Sequence, residues 1–210
     1  IVFTAGGSEG NNTVLRGAAD RAWRAGRRAH IVVSAIEHPS VLAPCRDLEK
    51  LGARIDYVPV SQEGRVAVES VAAALSEETC LVSVMLANNE VGTVQDIAAI
   101  AEMLKEQGVP IHTDAVQAVG HTPVDVKALG VTYLTASGHK FGGMKGTGFL
   151  WQRDGAAGTR LTRPHAITEH AAADMDHTCT RQVQMRRNQN APDTTAEPAA
   201  PASPTARRYR

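Results

Sequence analysis

Val131-Thr132-Tyr133-Leu134-Thr135-Ala136 runs directly into Ser137-Gly138-His139-Lys140 and then into Phe141-Gly142-Gly143-Met144-Lys145-Gly146-Thr147-Gly148. The first six residues are mostly β-branched or apolar and read as a buried strand. The glycines that follow make a tight turn before a second apolar run, Phe149 to Trp151. A lysine at a strand end among small residues sits where solvent is easily excluded, the setting that Schiff-base chemistry uses. Lys140 is that candidate, and an ordinary solvated loop lysine is the alternative.

Working outward, the same strand texture recurs at Ile1 to Ala5, His30 to Ile36, Arg54 to Val60, Cys80 to Leu86 and Val109 to Thr113. Amphipathic stretches lie between these runs: Asn11 to Ala25, Val41 to Leu51, Val66 to Leu75 and Ile97 to Gln107. Alternation of this kind predicts an α/β domain over residues 1–151, a mainly parallel sheet flanked by helices on both faces. After Trp151 the texture changes. Residues 152–210 hold five of the ten prolines, nine arginines and no lysine, and end in an Ala/Pro/Thr-rich stretch without periodicity. Such a segment buries too little apolar surface to offset its ordering entropy, so a divergent, disordered tail is expected there.

Composition narrows the function classes. A chain of 210 residues with 43% hydrophobic and 21% charged residues can bury one sizeable core. Its formal net charge of zero argues against nucleic-acid or membrane-surface partners recruited by bulk charge, and favours a small-molecule substrate. Cys45, Cys80 and Cys179 are too few and too scattered for a disulfide framework or a metal cluster, which fits a cytoplasmic protein without a metal. No apolar run approaches membrane-spanning length. The chain opens at Ile1 inside a strand pattern, without an initiator methionine, so its natural start is expected to lie upstream.

In open parallel sheets, ligands bind beyond the carboxyl ends of the strands. Gly6-Gly7-Ser8-Glu9-Gly10-Asn11-Asn12 follows the first strand and opens a helix; glycines let a phosphate approach the free N–H groups and positive dipole there. The spacing is neither a P-loop nor a dinucleotide fingerprint, and Ser8 as a plain N-cap is the alternative. Glu37-His38-Pro39-Ser40 follows the second strand, where His38 can stack on a flat heteroaromatic ring or transfer a proton, or be a simple turn histidine. Asn88-Asn89-Glu90-Val91-Gly92-Thr93 offers amides that donate and accept, although Asn and Gly also make common turns. His112-Thr113-Asp114-Ala115-Val116-Gln117 sets a carboxylate and an amide three residues apart; a buried Asp114 needs a charged partner, and otherwise it is a helix cap. Together with Lys140, these supply what pyridoxal 5'-phosphate requires: a lysine for the aldehyde, an acid for the ring nitrogen, a ring-face partner and a phosphate cup.

The same ordered motifs, with Val94-Gln95 after Thr93, resemble the signature of the cysteine desulfurase and selenocysteine lyase family, in the class V aminotransferase group of fold-type I pyridoxal-phosphate enzymes. The resemblance spans Ile1 to about Trp151. It implies that Lys140 binds the cofactor as a Schiff base and shuttles protons, that Asp114 pairs with the ring nitrogen, and that His38 stacks on the ring and takes part in proton transfer. It further implies that Gln117 bonds the phenolic oxygen, that Asn89 contacts the ring oxygen or substrate carboxylate, and that Gly7, Ser8, Ser137 and His139 hold the phosphate. Ser8 stands where the family has threonine, Gly10 where it has serine and Met144 where it has proline.

Complete relatives are homodimers that take sulfur from L-cysteine, pass it to a cysteine thiolate and on to an acceptor protein, serve iron–sulfur cluster assembly, and release alanine. The family's N-terminal segment and its later domain, with the persulfide-forming cysteine and a substrate-binding arginine, have no counterpart recognisable in the sequence, so a truncated chain is expected. Cys179, in Asp176-His177-Thr178-Cys179-Thr180, does not match the family's mobile loop. Three readings stay open: a desulfurase impaired at sulfur transfer, a selenocysteine lyase or other class V activity, and a non-catalytic fragment or interaction protein.

Overall fold

In β2 (His30–Ser34) every residue is buried: Ile31 and Val33 join a core on one face of the sheet, and Val32 joins the core on the other. A strand covered on both faces belongs to the middle of a helix-flanked sheet. The structure, a computed structural model, describes residues 1–156. Cys179 and the Ala/Pro/Thr-rich end lie outside the described residues.

The other strands are β1 (Val2–Thr4), β3 (Arg54–Val58), β4 (Thr79–Ser83), β5 (Ile111–Asp114), β6 (Tyr133–Ser137) and β7 (Gly148–Gln152). They form one sheet in the order β1-β7-β6-β5-β4-β2-β3. Strands β3, β2, β4, β5 and β6 run parallel, and β7 lies antiparallel between β6 and β1. β1 therefore points the same way as the parallel set. The chain beyond β4 keeps its hydrogen bonding, with Val84 N–H donating to His112 O (3.1 Å) and Leu86 N–H to Asp114 O (2.9 Å).

Helices α1 (Gly7–Arg24) and α2 (Pro39–Lys50) cover one face, packing Val14, Leu15, Val41 and Leu48 on Ile31, Leu81, Tyr133 and Leu150. Helices α3 (Val68–Ala74) and α4 (Ile97–Gln107) cover the other, where Ile97, Ile100 and Leu104 meet Val82, Ile111 and Leu134. Each such fully buried aliphatic side chain is worth about 1.5–3 kcal/mol relative to exposure. Local chemistry sets the ends of α4: Asp96 accepts from Ala99 N–H (3.1 Å), and Gly108 closes the helix at φ 66°, a left-handed conformation that favours glycine.

Gly148 is where the sheet and the first strand end touch. A Cβ built there would lie 2.7 Å from both Ala136 O and Gly6 Cα, backbone atoms that cannot swing aside. Gly148→Ala is expected to cost about 2 kcal/mol and to lower the melting temperature by about 4–8 °C, read by calorimetry. A variant melting with the parent would mean that the β1–β7 contact is loose.

Candidate active site

Because β1 is parallel to β2, β4, β5 and β6, the residues following all five strands gather at one edge of the sheet. Each of the motifs singled out from the sequence is there.

Helix α1 begins four residues earlier than its apolar periodicity indicates, because Gly6 rather than Ser8 is the N-cap. Gly6 has φ 156° and supplies no side-chain cap. Instead Glu9 reaches back to accept from Ala5 N–H (2.5 Å). The turn packs tightly: a Cβ on Gly7 would lie 2.5 Å from Val116 Cγ2, and one on Gly6 would lie 3.6 Å from Ser137 Oγ. Ser137 Oγ in turn bonds His139 Nδ1 at 3.0 Å. Gly7, Ser8, Ser137 and His139 thus share one corner at the positive end of α1. Burial, with Lys140 and Lys145 nearby, pulls the His139 pKa down.

Asp114 ends β5 and is 4% exposed. Its Oδ2 accepts from Asn11 Nδ2 at 2.7 Å and its Oδ1 from Val116 N–H at 2.9 Å. Burial raises its pKa, against the pull of these two donors and of His38 and Lys140. The following segment is a turn rather than a continuing helix, and Gln117 is half-buried on it.

His38 caps α2 in place of the usual Ser, Thr, Asp or Asn, accepting from Ser40 N–H at Nδ1 (3.1 Å), with Pro39 at the first helical position. Burial first, and Lys140 after it, lower its pKa, while Asp114 and Glu90 oppose them. Lys140 ends the short 3-10 turn Gly138–Lys140 beyond β6 and is half-buried. His121 Nε2 donates to its carbonyl at 2.7 Å, and Gly143 N–H returns to Gly138 O at 2.8 Å, so the backbone on both sides is held. Asn89 is exposed on the turn after β4, which its neighbour Asn88 organises by accepting from Glu90 N–H and Val91 N–H (both 2.9 Å).

Four residues of the site went unassigned in the sequence. Asn11 is fully buried and joins Asp114 to Ser40 Oγ (2.9 Å). Ser40 was visible only as part of the histidine motif. Glu37 lies under the site at 4% exposure, its Oε1 accepting from Ser34 Oγ and from Met85 N–H (2.7 Å); burial pushes its pKa up to about 8. Asn88 Nδ2 donates to Ile36 O at 3.0 Å, so the β2 and β4 turns are tied twice. A polar pair in a strand-end motif was the available signal, but burial cannot be read from it.

The described cysteines do not suit thiolate chemistry. Cys45 is buried and its pKa is pushed up to about 12, mainly by burial, and Cys80 is raised by the same cause. Among the described residues no group of His, Cys, Asp and Glu could hold a metal, and no helix is long and apolar enough to cross a membrane.

The chain resembles known proteins in sequence and in fold. The aminotransferase class-V family matches residues 1–187, continuing past Trp151. Cysteine desulfurase IscS of Dictyoglomus turgidum is 44% identical over 179 residues, covering 82% of this chain and 45% of that protein. A putative cysteine desulfurase, IscS 1 of Bacillus subtilis, is 50% identical over 151 residues, covering 72% and 39%. Among solved structures, SspA in complex with cysteine superposes with a TM-score of 0.70 at 37% identity, covering 73% of this chain and 44% of that one. DndA from Streptomyces lividans does so at 0.67 and 40%, covering 72% and 42%. The chain spans less than half the length of these relatives. With the family match extending over residues 1–187, the chain belongs to the class V aminotransferase family.

Proposed function

We propose that this chain carries the pyridoxal-phosphate site of a cytoplasmic cysteine desulfurase and takes L-cysteine as its substrate. The observation that carries the reading is Asp114, a carboxyl at a strand end, nearly all buried, whose hydrogen-bond donors among the described residues are the neutral Asn11 amide and Val116 N–H. A buried carboxyl bonded by neutral groups is best completed by a cation, and a protonated ring nitrogen is one. The uncapped start of α1, with Ser137 and His139 beside it, suits a phosphate arm. The residues therefore fit the cofactor at both ends.

When bound, pyridoxal phosphate supplies an electron sink for bond breaking at the substrate's α-carbon. Lys140 would hold the cofactor through its amine, and the same amine would move the substrate's α-proton. Asp114 would pair with the ring nitrogen, and His38 would pack on the ring. Gln117 and Asn89 orient the ring oxygen and substrate carboxylate, while Gly7, Ser8, Ser137 and His139 bind phosphate. Sulfur transfer balances as cysteine plus a thiol giving alanine plus a persulfide, and needs a reactive thiolate. Cys45 and Cys80, with raised pKa values, do not supply it. A homodimeric partner and a sulfur-acceptor protein belong to the same proposal. Cysteine is favoured over selenocysteine because SspA, similar in fold, is solved with cysteine bound.

The test is to load the full chain with pyridoxal phosphate, reduce with borohydride and map the peptides. The cofactor is expected on Lys140; label elsewhere, or none, overturns the reading. Sulfide and alanine release from L-cysteine is expected to be very weak, with no persulfide on Cys45 or Cys80.

A further inference from the structure

His38 faces two hydrogen-bond demands at once, and they decide which of its nitrogens carries the proton. Ser40 N–H donates to Nδ1 at 3.1 Å, and a backbone amide can only donate, so Nδ1 has to offer a lone pair. Ser40 Oγ lies 2.7 Å from the same nitrogen. Which way that hydroxyl's hydrogen points is set from behind: Asn11 Nδ2 donates one hydrogen to Ser40 Oγ (2.9 Å) and its other to Asp114 Oδ2 (2.7 Å). With its oxygen already accepting, the Ser40 hydroxyl keeps its own hydrogen for Nδ1. Asn11 and Ser40 are 0% and 7% exposed, so water does not compete for either. Turning the Asn11 amide over would set its oxygen against an ionised Asp114, so an ionised Asp114 fixes the direction of the whole chain of bonds.

We propose that Ser40 and Asn11 are positioning residues that hold neutral His38 as its Nε2–H tautomer, making it a hydrogen-bond donor to the cofactor site and leaving proton abstraction to Lys140. The chemical consequence rests on the functional reading above; the tautomer does not. To act as a base, His38 would have to accept a proton at Nδ1, where the Ser40 amide already points and the cap of α2 would be lost. To give up a full proton at Nε2 and stay neutral, it would need that same Nδ1 proton first. The charged groups facing the ring are Asp114 and Glu90, which favour its protonated form, and Lys140, which opposes it.

The experiment uses the full chain, ¹⁵N-labelled and free of cofactor, so its outcome is independent of whether Lys140 captures pyridoxal phosphate. Long-range ¹H–¹⁵N correlation spectra of the imidazoles, above the His38 pKa, are expected to place the proton wholly on Nε2. Ser40→Ala removes the hydroxyl donor to Nδ1 and is expected to raise the His38 pKa by about half a unit to one unit, the worth of one hydrogen bond. Ser40→Thr, which restores the hydroxyl, returns the pKa to the parent value, and Asn11→Leu shifts it in the same direction as Ser40→Ala. A proton on Nδ1, a mixture of tautomers in the parent chain, or a Ser40→Ala pKa equal to the parent's overturns the proposal. The parent spectrum decides the tautomer even where a variant fails to fold.

Discussion

Lys140→Ala is expected to abolish covalent capture of pyridoxal phosphate, lowering borohydride-fixed label by a factor on the order of 100 or more, because no other amine replaces an activated, positioned nucleophile. The change should leave the fold intact. Lys140 is half-buried, and the bonds that hold its turn use backbone atoms, with His121 Nε2 donating to its carbonyl and Gly143 N–H donating to Gly138 O. Truncating such a side chain moves stability by within about 0.5 kcal/mol. Lys140→Arg sharpens the reading: it keeps the positive charge near Asp114 and His38 but cannot form the Schiff base. Both variants should melt with the parent and both should lose the label. Label persisting in either would place the chemistry on another lysine.

Glu37→Gln should change how stability depends on pH. In the folded chain Glu37 keeps its proton up to about pH 8, against 4.5 when unfolded. Between those values the folded state holds the extra proton, so stability falls as pH rises through that window, by up to about 5 kcal/mol. Glutamine removes the titration while its amide oxygen still accepts from Ser34 Oγ and Met85 N–H, the bonds now made to Oε1. The variant should match the parent near pH 5 and exceed it by a few kcal/mol at pH 9, read from urea midpoints. Equal slopes in the two chains would mean that Glu37 is ionised in the folded protein. The acid side belongs to His112, buried between Ser83 Oγ (2.8 Å) and Thr135 Oγ1 (3.0 Å), whose pKa burial lowers from 6.5 to about 3. There the unfolded chain binds the proton first, so stability falls as pH drops through that range.

Periodicity and position made most of this fold legible. Helix α4 was readable to its last residue because Ile97, Ile100, Ala101 and Leu104 repeat at helical spacing between the Asp96 and Gly108 caps. The positions of Lys140, Asp114 and His38 were readable because each stands at or beyond a strand end in a sheet whose strand ends converge. What stayed hidden depends on contacts distant in sequence. Asn11 meets Asp114 across 103 positions, and no local pattern announces that meeting. Glu37 stood unassigned beside His38 in its motif, since charged side chains are rarely buried and nothing local marks this one as an exception. The placement of β7 between β6 and β1 follows from which strands pair, which periodicity leaves open.

That last placement governs when the sheet can close during synthesis. Val2 pairs with Leu150, so the first described strand waits for the last to be made before its edge is filled. The glycine corner at Gly6 and Gly7 is braced by Gly148. A nascent chain that has emerged only as far as Lys140 therefore carries the Gly6 corner without the strand that braces it, and a closure this long is slow to form.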